Sequence, residues 1–294
     1  MNEATAPPLA KCNLGAAVVW MAFSIVSFAF MAVAGRELSA ELWPHEIMVY
    51  RSAIGLVVVA GVVWAIHGRL AVASGRPGEH AVRNVVHFAG QNAWLYAIAT
   101  IPLAQMQALE LTSPIWMAVL APLLLGERIT RPGVIAAGLG FVGVLVVTRP
   151  GLSPLALGHG AALAAAVSFA LTNLVTKRLA REDTTLTILF WMNLTQMVLG
   201  LLCTLPAGGP TLFSAALVPW VLAIGLSGLS AHFSLTRALA SAPIAIVAPL
   251  DYLRLPALAF VGALFYSEAL EVVVFLGAGL IIAGNLYNLW AGRP

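Results

Sequence analysis

Charge is scarce in this chain. Asp, Glu, Lys and Arg make up 9% of its 294 residues, against about 25% in an average soluble domain. So few charges cannot solvate a domain of this size, which excludes a water-soluble globular fold. Cysteine is nearly absent too. Cys12 and Cys203 show neither pair nor metal spacing, so no disulfide framework and no structural metal are expected. There is no P-loop, no His-Glu-x-x-His and no Gly-x-Ser-x-Gly, so neither an ATP-driven pump nor a hydrolase is expected. Gly138-Leu-Gly-Phe-Val-Gly143 spells a dinucleotide fingerprint. No strand precedes it, and no acid follows at the distance the ribose contact needs. No catalytic residue, metal site or cofactor is assigned. The net charge of +3 comes from basic residues in loops, which gives no reason to expect a nucleic-acid partner.

What the chain has is hydrocarbon: 61% of residues are hydrophobic, with a mean hydropathy of +0.94. Apolar runs of spanning length fall near 14–35, 43–67, 81–99, 103–125, 131–148, 155–177, 186–206, 217–238, 242–265 and 270–290. Ala32-Val33-Ala34 has the form of a signal-peptidase site, but the run before it is long for a signal peptide and only Lys11 precedes it. We read it as an uncleaved first span.

The chain repeats itself at a shift of 141 residues. Ser27-Phe28-Ala29 matches Ser168-Phe169-Ala170, Pro102 matches Pro243, and Glu110 matches Asp251. Glu127 matches Glu268, and Gly138 and Gly143 match Gly279 and Gly284. The halves are 14–148 and 155–290. An odd number of spans in each inverts the second half relative to the first. The expected fold is an all-α integral membrane protein of ten transmembrane helices, arranged as two inverted five-helix repeats.

Loop charges set the expected orientation. One face carries Lys11, Arg69, Arg76, Arg83, Arg128, Arg131, Lys177, Arg178, Arg181, Arg237 and Arg293; the other carries Arg36 and Arg149. The positive-inside rule then places both termini in the cytoplasm and the chain in the cytoplasmic (inner) membrane. Trp43, Trp64, Trp220 and Trp290 fall near span ends, as an aromatic belt would.

Four ionisable residues lie deep in spans: Arg51, Glu110, Asp251 and Arg254. Each costs about 2.5–3.5 kcal/mol at a helix centre. Arg51 and Glu110 lie at similar depth, roughly 10–13 Å below the outer surface at the helical rise, so they are positioned to meet. Asp251 and Arg254, three apart, can pair on one helix face. Two readings compete: two buried ion pairs that fix helix register, or the wall of a substrate cavity. The acids occur once per half at matching positions. Prolines crowd both: Pro102, Pro114 and Pro122 around Glu110; Pro243, Pro249 and Pro256 around Asp251. Proline frees carbonyls, and irregular backbone at membrane depth is tolerated beside a cavity. The cavity reading is preferred.

The third span adds His87, Gln91, Asn92 and Trp94. The sixth adds Asn173, the seventh Trp191 and Asn193, and the eighth His232. The substrate-binding candidates are Arg51, Gln91, Trp94, Glu110, Asn173, Trp191, Asp251, Tyr252 and Arg254. The proton-coupling candidates are Glu110, Asp251, His87 and His232. Spans 5 and 10 are nearly free of polar residues but carry Gly138, Gly140, Gly143, Gly277, Gly279 and Gly284. Such small residues allow close helix contact, which marks a scaffold or the surface of a homodimer; a monomer is the alternative.

Ala121 to Val147, APLLLGERITRPGVIAAGLGFVGVLVV, resembles the EamA signature of the drug/metabolite transporter superfamily. Tyr266-Ser267-Glu268 with Gly279 and Gly284 resembles a second copy, in which Ser267 replaces Gly126. The resemblance implies ten helices around a central cavity and alternating access without ATP. Members handle amino acids, S-adenosylmethionine, riboflavin, organic acids, polyamines, drugs and nucleotide sugars, in either direction. The expected partners are a small polar or amphoteric metabolite and the lipid bilayer. The alternatives are an uncoupled facilitator or a membrane-embedded enzyme, the latter without any motif to carry it.

Overall fold

The computed structural model describes residues 13–125, 131–150, 154–180, 182–242, 247 and 250–291. Lys11, Cys12, Gly126, Glu127, Arg128, Arg181, Pro243, Pro249 and Arg293, and the side chains of Pro122 and Lys177, lie outside the described residues.

Eleven α-helices form among the described residues: α1 (Leu14–Leu38), α2 (Pro44–His67), α3 (Pro77–Thr100), α4 (Leu103–Glu110), α5 (Ser113–Leu125), α6 (Arg131–Thr148), α7 (Leu157–Leu179), α8 (Thr185–Thr204), α9 (Val218–Ser241), α10 (Arg254–Tyr266) and α11 (Val272–Ala291). Seven segments, carried by α1, α2, α6, α7, α8, α9 and α11, are long and apolar enough to cross a membrane. The chain is a multi-pass membrane protein, and its described residues are all-helical with no strand among them.

Three expected spans look different in the structure. The third run, α3, is long enough but too polar, because His80, Arg83, Asn84, His87 and Gln91 are all buried along it. The fourth run is two helices. Pro114 has no N–H for the Glu110 carbonyl, so α4 ends there, and the Thr112 hydroxyl donates back to the Leu109 carbonyl at 2.7 Å. The freed Leu111 carbonyl accepts from Asn285 Nδ2 of α11 at 2.9 Å. In the ninth run α10 spans 13 residues, entered through a turn at Tyr252 and Leu253 that lies 141 residues after the turn at Leu111 and Thr112.

Each long helix packs chiefly on one from the other half of the chain, and these pairs run antiparallel. Asn13 N–H donates to the Ser241 carbonyl, and Ser24 Oγ to the Ala231 carbonyl, joining α1 to α9. Gly90 sits against Ser168 and Arg83 bonds Thr176, joining α3 to α7. Gly55 accommodates Asn193, and Gly200 accommodates Val49, joining α2 to α8. Loop contacts extend this pairing: Glu46 accepts from the backbone N–H of Thr211, and Glu41 from that of Ser214.

Helices α6 and α11 meet backbone to backbone. A Cβ on Gly143 would stand 2.6 Å from the Gly277 carbonyl oxygen; one on Gly277 would stand 2.7 Å from that of Gly143. These two glycines, read from sequence as a scaffold or homodimer surface, are used within the chain. Phe141 and Leu276 face outward, exposed. Gly143→Val is expected to cost about 1–3 kcal/mol by forcing the helices apart. Gly138→Val, at a position with nothing near its Cβ, is expected to cost far less. Melting of the two detergent-solubilised variants compares them directly.

Candidate functional site

Three helical faces converge inside the bundle. On α3, Arg83, His87 and Gln91 recur every fourth residue and share one face. The α4–α5 break presents Gln107 and Glu110, and the turn before α10 presents Asp251, Tyr252 and Arg254. Together with Phe28 of α1, Phe169 and Asn173 of α7, and His232 of α9, they line a cavity of about 480 Å³. The cavity reaches Ala180 and Thr185, where α7 passes into α8 at one end of the bundle.

One guanidinium organises the acids. Arg254 Nη1 donates to Glu110 Oε1 at 3.1 Å, and Arg254 Nη2 donates to Asp251 Oδ1 at 2.5 Å. Its face lies over the Phe28 ring, 4.0 Å from the centroid. Glu110 Oε2 accepts from Trp94 Nε1 at 2.8 Å. Where the sequence led us to expect two pairs, Arg254 serves both acids and Arg51 does not meet Glu110. Arg51 turns towards α9 instead. Its Nε lies 3.0 Å from where a Cβ on Gly228 would stand, and among the described residues its only hydrogen bond is from Nη1 to Met48 Sδ at 3.7 Å.

A row of rings lines the cavity. His87 and His232 stand 6.3 Å apart, centroid to centroid. Phe169 flanks His87 at 5.6 Å and Phe28 flanks His232 at 5.6 Å. Both nitrogens of His87 and Nε2 of His232 are buried without a hydrogen-bond partner among the described residues.

Of the site residues expected from sequence, Gln91, Glu110, Asn173, Asp251, Tyr252, Arg254, His87 and His232 line the cavity. Arg51, Trp94 and Trp191 do not. Trp94 stands behind Glu110 as its donor, and Trp191 Nε1 donates to the Val72 carbonyl at 2.9 Å. Neither presents a free stacking face to the cavity. Sequence reasoning missed Arg83, counting it as a loop charge. It is 7% exposed, inside α3, and bonds Thr176 Oγ1 at 3.0 Å and Asn84 Oδ1 at 2.9 Å. Its four-residue spacing from His87 was the available signal. Phe28 and Phe169 were also on view, as the matched residues of the repeat.

The far end of the bundle is closed. Arg36 donates from Nε to the Ile98 carbonyl at 2.5 Å and from Nη2 to the Ile101 carbonyl at 2.6 Å. Its Nη1 is ion-paired with Glu268, whose other oxygen accepts from Leu103 N–H at 2.8 Å. These are the backbone groups freed where Pro102 breaks α3 from α4. Arg36 also lies over the Tyr266 ring, 4.7 Å from its centroid, and Tyr266 donates to Glu37 at 2.9 Å. At the mouth, Arg76 pairs with Glu182 and Arg178 with Glu79, and His80 is hydrogen-bonded to Asp183; none of these six residues lines the cavity.

The model of the EamA-like transporter family matches this chain twice, over residues 15–149 and 156–290. A protein named S-adenosylmethionine uptake transporter from Rickettsia bellii is 24% identical over 279 residues, covering 93% of each chain. A protein named riboflavin transporter from Rhizobium johnstonii is 29% identical over 270 residues, covering 92% of this chain and 89% of its own. A solved crystal structure superposes with a TM-score of 0.63 at 18% identity, over 94% of this chain and 97% of its own, and so shares the fold. With nearly all of its length covered by the two matches, the chain belongs to the EamA-like transporter family.

Proposed function

We propose that the protein is a secondary transporter that moves a small polar or amphoteric metabolite across the inner membrane by alternating access. The observation that carries this reading is a cavity lined by buried charges, reaching one end of the bundle while Arg36 and Glu268 tie the other end shut. Such an asymmetry is what one resting state of an alternating-access cycle requires. Two inverted halves of five spans, 14–148 and 155–290, supply the machinery. In support, the shift-equivalent helices α2 and α8 run antiparallel, as do α6 and α11, and the helix breaks at Glu110 and Asp251 recur at the same shift. The mouth adjoins Arg76 and Arg178, which sit before α3 and in the last turn of α7, so by the positive-inside rule it faces the cytoplasm, with both termini.

The printed names of the relatives direct the first substrates. The test is counterflow of S-adenosylmethionine and riboflavin into proteoliposomes, with and without a pH gradient. Gradient-dependent accumulation supports a proton step through Glu110, Asp251, His87 or His232; exchange alone supports the uncoupled facilitator. A single cysteine at Thr185, in a chain without Cys12 and Cys203, reports on the mouth. Its labelling should fall when an exchanged compound is present. Labelling that never changes during active exchange would overturn alternating access.

A further inference from the structure

Two buried guanidiniums have no acid partner among the described residues. Arg83 is 7% exposed and, among the described residues, bonded only to the neutral groups of Thr176 and Asn84. Arg51 is 4% exposed, and its Nε has no hydrogen-bond partner among the described residues. Among the described residues neither has a carboxylate within ion-pair distance, whereas Arg36, Arg76, Arg149, Arg178 and Arg254 all do. Burying a cation unpaired is costly, so a chain that keeps two has a use for them.

Their placement is ordered along the bundle. Arg83 lies towards the mouth, one helical turn before His87 on α3. Arg51 lies towards the closed end, at Gly228, one helical turn before His232 on α9. The two histidines sit between them, with three nitrogens that no atom of the described residues satisfies. The steps from Arg83 to His87 and from His232 to Gly228 are each about 6 Å at the helical rise. Gly228 is also the shift equivalent of His87. The repeat therefore leaves out one side chain where the Arg51 guanidinium stands.

The geometry points to an anion subsite: the transported molecule carries a carboxylate or phosphate, which Arg83 receives on the mouth side of the His87–His232 layer and Arg51 receives on the closed side. The cavity holds its own acids, Glu110 and Asp251, already engaged by Arg254. Among the described residues, the buried guanidiniums left without a carboxylate are Arg83, on the cavity wall, and Arg51, behind that wall at Gly228. This inference rests on the transporter reading and names the charge of its substrate.

The test uses purified full-length protein in detergent and four probes sharing one ring: benzoate, phenyl phosphate, benzamide and benzylamine. Benzoate or phenyl phosphate is expected to bind at least about tenfold more tightly than the neutral and cationic probes, the scale of one charge-assisted hydrogen bond. The tighter of the two anions names the group. Arg83→Gln should abolish the preference and Arg83→Lys should retain most of it; Arg51→Gln should weaken it. If a variant does not fold, the four-probe comparison on the unaltered protein still decides. Equal binding of all four, binding of none, or a preference that survives both Gln substitutions overturns the subsite. A Thr185 cysteine that still switches its accessibility in that case leaves the transporter reading standing; one that never switches removes both.

Discussion

Arg254→Met is expected to lower stability by about 3–5 kcal/mol, the cost of leaving a buried ion-pair partner uncompensated. Two acids depend on this one cation, but not equally. The Asp251 side chain keeps 28% of its surface exposed, while Glu110 keeps 14%. Asp251 can therefore regain water from the cavity. Among the described residues Glu110 would keep only Trp94 as a donor, so most of the cost falls there. The triple change Arg254→Met, Glu110→Gln, Asp251→Asn should recover most of the loss, because it removes the charges along with their partner. Denaturation midpoints of the single and triple variants in one detergent make the comparison. A single-variant cost below about 1 kcal/mol, the value of a solvated surface pair, would refute the idea that Arg254 holds both acids.

Arg36→Ala should open the end that is now shut. The side chain makes two bonds to backbone carbonyls and one to Glu268, and it orients the carboxylate that caps Leu103 N–H. Hydrogen bonds to charged groups contribute about 1.5–3 kcal/mol each. Loss of the set need remove only about 3 kcal/mol from the closed arrangement to shift its population over a hundredfold. Spin labels at Ala40 and Leu270, both exposed at that end, would read the change as a longer and broader distance distribution. Glu268→Ala should act in the same direction. An unchanged distribution in both would mean that helix packing alone closes the bundle, with the polar cluster serving only to cap broken backbone.

Much of this architecture was legible because the bilayer enforces it. Run lengths follow from hydrocarbon thickness, so most expected helices appear within a few residues of where they were read. The misreadings share a cause: composition along a line carries depth but not rotation. Arg51 and Glu110 match in depth, yet Arg51 faces Gly228 of α9. Arg83 sits near the start of a run and so counted as a loop charge, whereas α3 begins at Pro77 and carries it inside. Trp94 and Trp191 have faces suited to stacking, but their indole N–H groups decide their orientation, and both are aimed at oxygen acceptors. The three-residue spacing of Asp251 and Arg254 was the one local signal that fixed a contact, because a single turn of chain determines it.

The pairing of the two halves also constrains how the protein is made. Leu103 N–H is capped by Glu268, a residue 165 positions later. At about 5–20 residues per second, translation needs roughly 8–33 seconds to supply it. Helices α1, α2 and α3 likewise wait for α9, α8 and α7. The nascent first half must therefore lodge in the lipid with its broken backbone uncapped and its packing faces bare. Chains cut short before Glu268 are expected to stay in that state and to be cleared by membrane proteases, so that only a completely synthesised chain leaves the insertion machinery as a stable bundle.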